Sequence, residues 1–114
     1  MDERVLADLM IREIEHGMEG TDAKPAFIKC ASQAVMGVSE NNRKMLAAAA
    51  IASKATGLPI CIHTDPGAPL GREQKRVFEE LEVPPEKLNF CHVFSIGDDG
   101  YVADMMAGGE LCGL

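Results

Sequence analysis

The sequence predicts an α/β fold of about four parallel strands joined by crossover helices. Two observations carry the prediction. Short apolar runs alternate with amphipathic or alanine-rich stretches, in the order helix, then strand–helix three times, then strand, and alternation at this spacing favours parallel pairing. The connections are also unequal. Chain entering a strand is short, as in TGLP before Ile60, whereas chain leaving one is long and polar, as in TDPGAPLG after His63 and FSIGDDG after Val93. In α/β folds the loops that follow strands hold the sites.

Each element has its own signal. Asp2 to about Gly17 reads as a helix because Val5, Leu6, Leu9, Met10 and Ile14 recur at three- and four-residue steps with charges between them. Gly17 and Gly20 end it. After Pro25 the run AFIKCA, Ala26 to Ala31, is short and apolar and reads as a strand. Ser39 can cap a long alanine-rich helix, Glu40 to about Thr56, closed by Gly57 and Pro59. Pro59 to His63 is the next strand. The helix from about Arg72 to Leu81 carries Val77, Phe78 and Leu81 as its apolar stripe. Pro84-Pro85 breaks the chain before a strand from Leu88 to Val93. Asp98-Asp99-Gly100 opens a short helix through Met106, and Gly108-Gly109 releases a final run, Glu110 to Leu114. The strands read as continuously apolar, as parallel strands covered on both faces should.

Size and composition set the bounds. A chain of 114 residues suffices for one domain, residues 1–114, and not for two comfortable ones. A net charge of −7 without any basic stripe argues against nucleic acid as a partner. No run approaches the length of a membrane span, and the acidic start MDERVLADL is unlike a targeting signal, so the expectation is a soluble, cytoplasmic protein with no membrane contact. Cys30, Cys61, Cys91 and Cys112 never form a CxxC pair and sit in or beside apolar runs, as reduced core thiols do.

The candidate site comes from a recurrence. FIK ends one run on Lys29, ICIH the next on His63 and NFCH the third on His92, one strand–helix unit apart each time. Strands in register would bring the three to one rim, and alternation would place Phe27, Cys61 and Phe90 beneath them as an apolar floor. Neutral imidazoles are good ligands for zinc, cobalt and other divalent ions. A lysine ammonium has no lone pair and becomes a ligand only as a carbamate formed with carbon dioxide, whose two oxygens can bridge two ions. Such a pair of ions lowers the pKa of a bridging water and clamps a displacement. Plainer readings stand beside this one: a strand-end histidine is commonly structural, and Lys29 can pair with Asp65 or another acid.

The segments FIKCAS, NRKMLAAAAIASKATGLPICIHTDPG, GREQKRVFEEL and PEKLNFCHV, in that order, resemble the phosphotriesterase family of the amidohydrolase superfamily. The likeness runs from roughly Glu3 to the end of the chain, and TGLPICIHT with the Glu73-Gln74 helix after it makes it specific. The resemblance implies a partial TIM (β/α)8 barrel, strands four to seven. It implies Lys29 as the carbamylated lysine bridging two metals, and His63 and His92 as ligands of the second. The cofactor would be zinc or another divalent metal, two per complete site and at most one here. The activity implied is hydrolysis of phosphotriesters, lactones or related esters by a metal-bound hydroxide.

Departures from the family pattern qualify those expectations. The family's HxH pair on strand one and its aspartate after strand eight have no counterpart, and no catalytic residue beyond the metal ligands can be named. His16, the one other histidine, reads as an exposed residue of the first helix. Cys91 stands where a glycine usually precedes the strand-six histidine, and Val93 and Phe94 stand where an acid commonly follows it. The expectation is therefore a fragment-like chain with half a site and little activity alone. Its open edges would take a complementing barrel segment or a second copy. The alternative is a non-catalytic half-barrel serving binding or assembly. The substrate is not readable, because the loops after strands seven and eight largely set it.

Overall fold

A computed structural model describes residues 2–32 and 39–113. Its elements are α1 (Glu3–His16), β1 (Ile28–Ser32), α2 (Glu40–Thr56), β2 (Ile60–Thr64), α3 (Gly71–Glu80), β3 (Leu88–Cys91), α4 (Asp99–Met106) and β4 (Leu111–Cys112). Single 3-10 turns at Pro85–Lys87 and Val93–Ile96 flank β3. The strands form one parallel sheet in the order β1-β2-β3-β4. This is the α/β fold the alternation predicts, with the organisation of part of a (β/α)8 barrel.

The helices begin and end where side-chain chemistry allows. The Asp2 carboxylate accepts from the Arg4 N–H at 2.9 Å, the Ser39 hydroxyl from Asn42 N–H, and the Asp98 carboxylate from Tyr101 N–H. After α1 the chain turns at Gly17 with φ +96°, where a Cβ would lie 1.9 Å from the Thr21 carbonyl oxygen, so only glycine fits. Ala48, Ala49, Ala50 and Ala52 are buried in α2, where their small side chains let the helix lie close to α1 and the sheet.

One face of the sheet makes the core. Ile28, Cys30, Ile60, Ile62, Leu88 and Phe90 pack with Leu46, Val77, Phe78, Tyr101 and Met105 from the helices. Burial there pushes the Cys30 thiol up to about 12, the neighbouring Cys61 adding to the shift and Lys29 opposing it. All four cysteines are free thiols, but only Cys30 is fully buried.

The other face corrects an expectation. Lys29, Ala31, Cys61, His63, Asn89, Cys91 and Leu111 alternate with the core residues and are half-buried or exposed. Among the described residues the sheet is covered on one face only. The predicted apolar floor is also absent: Phe90 lies under the helices at 0% exposure, and Phe27 precedes β1 and is 49% exposed. Cys61 alone of the three stands on the open face. Strand boundaries move as well. β1 spans Ile28–Ser32 rather than Ala26 to Ala31, and Lys29 is not its end, because Cys30, Ala31 and Ser32 pair with Ile62, His63 and Thr64. β3 stops at Cys91, short of Val93. Leu114, the end of the predicted final run, lies outside the described residues. Among those described, no helix is long and apolar enough to cross a membrane.

Candidate metal centre

His63 stands near the end of β2 on the open face, between Ala31 of β1 and Cys91 of β3. Its backbone is held from the other side of the sheet. Gln74 of α3, fully buried, donates from Nε2 to the His63 carbonyl at 3.1 Å. The Thr64 hydroxyl donates to Gln74 Oε1 at 2.8 Å. The His63 side chain is the reverse case: its Nε2 is buried and has no hydrogen-bond partner among the described residues. Buried polar atoms are almost always paired, so an orphan of this kind asks what its partner is.

His92 reaches the same place by leaving its strand. The row containing Ser32 and Thr64 faces the helices, and simple continuation of β3 would carry His92 into that row. Instead His92 adopts φ 66°, ψ 15°, the left-handed region, and opens the Val93–Ile96 turn. A non-glycine residue there costs about 1–2 kcal/mol, and such strain gathers at functional sites. The outcome is a T-shaped pair with His63, ring centroids 4.9 Å apart at 71°. The same turn explains the missing floor: because His92 breaks the alternation, Phe90 belongs to the core face.

The residues fit a divalent ion on two counts. Two imidazoles sharing a tetrahedral ion, each with a metal–nitrogen bond of about 2.0–2.1 Å, place their centroids roughly 5 Å apart, and these are 4.9 Å apart. The unpartnered Nε2 of His63 supplies a nitrogen of the right kind. Among the described residues, however, no three His, Cys, Asp or Glu side chains gather closely enough to hold a metal.

Lys29 occupies the same face but a different row. It pairs with Cys61, two residues before the Ala31–His63 pair. At about 3.3 Å per residue along a strand and about 4.8 Å between strands, its Cα lies roughly 8 Å from that of His63. It is exposed and borders a cavity of about 230 Å³ toward α1, lined by Met10, Glu13, Ile14 and Phe27 among others, with neither histidine in it. The fold thus brings His63 and His92 together and leaves Lys29 one row lower. His16 is exposed on α1 beside Glu15, as its sequence context suggests.

Two polar residues near the site have only faint signals in the sequence. Asn89 stands on the open face with Oδ1 buried and unpartnered among the described residues, its Nδ2 4.0 Å from Cys61 Sγ. Its signal is the lone polar residue within LNFC. Gln74 stands out in the chain only as part of a helix pattern; its position ten residues after Thr64 is the signal that could have found it.

Comparison with known proteins gives a consistent answer. A sequence model of the phosphotriesterase family matches residues 1–113. The phosphotriesterase homology protein of Mycobacterium tuberculosis is 34% identical over 110 residues, covering 96% of this chain and 33% of that protein. The aryldialkylphosphatase of Saccharolobus solfataricus is 34% identical over 109 residues, covering 96% of this chain and 34% of its own length. The chain therefore spans about a third of the length of the curated relatives it matches.

Proposed function

This chain belongs to the phosphotriesterase family, and from that premise we propose that it carries half of the metal centre of a hydrolase acting on phosphotriesters, lactones or related esters. One observation carries the reading: two imidazoles meet at the loop-rich end of a parallel sheet, and one presents a buried nitrogen with no partner among the described residues. His63 and His92 would hold one divalent ion, zinc or a similar metal. Lys29, as its carbamate, would supply the oxygen donor that bridges toward a second. When bound, the metal activates water and stabilises the charge developing on the substrate oxygen.

The chain's own residues have defined parts. His63 presents a buried nitrogen from a strand whose carbonyl is fixed by Gln74. His92 closes on it from the left-handed turn. The loop from Thr64 to Leu70 would border substrate; Asp65 Oδ1 accepts from the Gly67 N–H at 2.7 Å and shapes that loop. That no third His, Cys, Asp or Glu among the described residues gathers with the pair closely enough to hold a metal favours a second reading in which this chain holds an ion without turning substrate over.

Metal analysis and assay of the purified chain test the proposal. We expect one zinc per chain, lost in His63→Ala and weakened in Lys29→Ala, with slow hydrolysis of paraoxon or of a lactone panel. Equal metal content in wild type and His63→Ala would refute it. Metal retention with no turnover of any ester would select the second reading.

A further inference from the structure

The ends of β1 and β2 are closed by the same device. In β1 the Ser32 hydroxyl donates to Asn42 Oδ1, and Asn42 Nδ2 donates to the Ala31 carbonyl at 2.6 Å. In β2 the Thr64 hydroxyl donates to Gln74 Oε1 at 2.8 Å, and Gln74 Nε2 donates to the His63 carbonyl at 3.1 Å. Each amide comes from the helix that follows its strand, ten residues after the hydroxyl, and each is buried. Ser32 and Thr64 are partners in the sheet, as are Ala31 and His63. One amide therefore clasps each strand end at the same level.

The third unit lacks the clasp. His92 follows Cys91, the sheet partner of His63, and so takes the chain position that Ser32 and Thr64 hold in their strands. It has no hydroxyl, and the residue ten places on is Val102, which has no amide. Among the described residues nothing comparable ties this strand end into the extended row, and the backbone turns left-handed, bringing the imidazole to the open face.

We propose that Gln74 is a positioning residue for the histidine pair: its amide clasp fixes the end of β2 so that the His63 ring meets His92. The physical reason is the cost of leaving the clasp half-made. A buried carbonyl and hydroxyl that lose their shared partner must find others, and at a strand end they do so by rotating the peptide that carries His63. The consequence for metal affinity rests on the function proposed above; the consequence for the ring pairing does not.

The test uses the 114-residue chain and two readouts: the cross-ring NOE between His63 and His92, and zinc affinity by calorimetry. Gln74→Met keeps the volume and removes the clasp. It should abolish the cross-ring NOE and weaken zinc by about 10–100-fold, the usual effect of losing a hydrogen bond that orients a metal ligand. Asn42→Leu breaks the equivalent clasp in β1 and should leave the NOE in place, which separates positioning from general loosening. Thr64→Val should reproduce the loss and Thr64→Ser restore the NOE, and this pair carries the test where Gln74→Met does not fold. An NOE that survives in Gln74→Met or in Thr64→Val overturns the proposal. So does its equal disappearance in Asn42→Leu. A wild-type chain that shows the NOE but binds no zinc defeats the metal reading and leaves the clasp standing.

Discussion

His92 shows how one dihedral angle changes the use of a whole strand. Its φ of 66° carries strain that a residue without Cβ would not feel. His92→Gly should therefore be more stable than His92→Ala by about 1 kcal/mol, with the ring pairing abolished in both; thermal denaturation of the two variants checks the order. Tyr101 offers a second reading at this scale. Its burial raises the hydroxyl above the ordinary tyrosine value, against the lowering effects of the Gly71 N–H and the Arg72 guanidinium, which lies 5.1 Å from the ring centroid. A folded value above the unfolded one means the contribution to stability is full below about pH 10 and declines as pH rises through the folded value. The chain has one tyrosine and no tryptophan, so tyrosinate absorbance reports this group alone. Its midpoint should lie above the ordinary value in the native protein and fall back in denaturant.

The packing of α3 against α4 is set by a close approach. A Cβ at Gly71 would lie 2.4 Å from the Tyr101 hydroxyl and 2.7 Å from Met105 Cε. Met105 can move aside, but the Tyr101 oxygen accepts from the Gly71 N–H at 3.0 Å and is buried. Gly71→Ala should cost about 1–3 kcal/mol, as overpacked cores do, measured as a shift in the urea midpoint without change in slope. Element order and type are legible in the sequence because the signals are local: Asp2, Ser39, Gly57 and Asp98 each mark a boundary by their own chemistry. What the sequence hides needs knowledge of partners across the fold. Lys75 of α3 meets the buried Glu110 before β4 at 3.3 Å, and Arg72 meets Asp104 of α4 at 2.9 Å. Neither pairing has a signature in chain spacing. Sequence pattern misplaces the end of β3 for the same reason, since apolar Val93 continues the pattern while the backbone does not.

Across the whole fold, the sheet has one face in the core and one open face bearing the candidate site. The candidate residues Lys29, His63 and His92 are readable from recurrence, because parallel units of similar length repeat their geometry. Their depth is not. Register places Lys29 one row below His63, a displacement that spacing along the chain does not reveal. β1 and β4 each have one side with no strand partner among the described residues, and Leu111 on β4 is 62% exposed. These are the features of a sheet whose relatives are about three times as long as this chain. Joint binding of one ion by His63 and His92 is open to a direct test, because the chain has three histidines. Zinc is titrated into the chain while the imidazole nitrogens are followed by NMR, with exposed His16 as internal reference. His63 and His92 should shift together and reach their end point at one equivalent while His16 stays in place. Shifts at His16 alone, or at His63 without His92, would contradict joint binding.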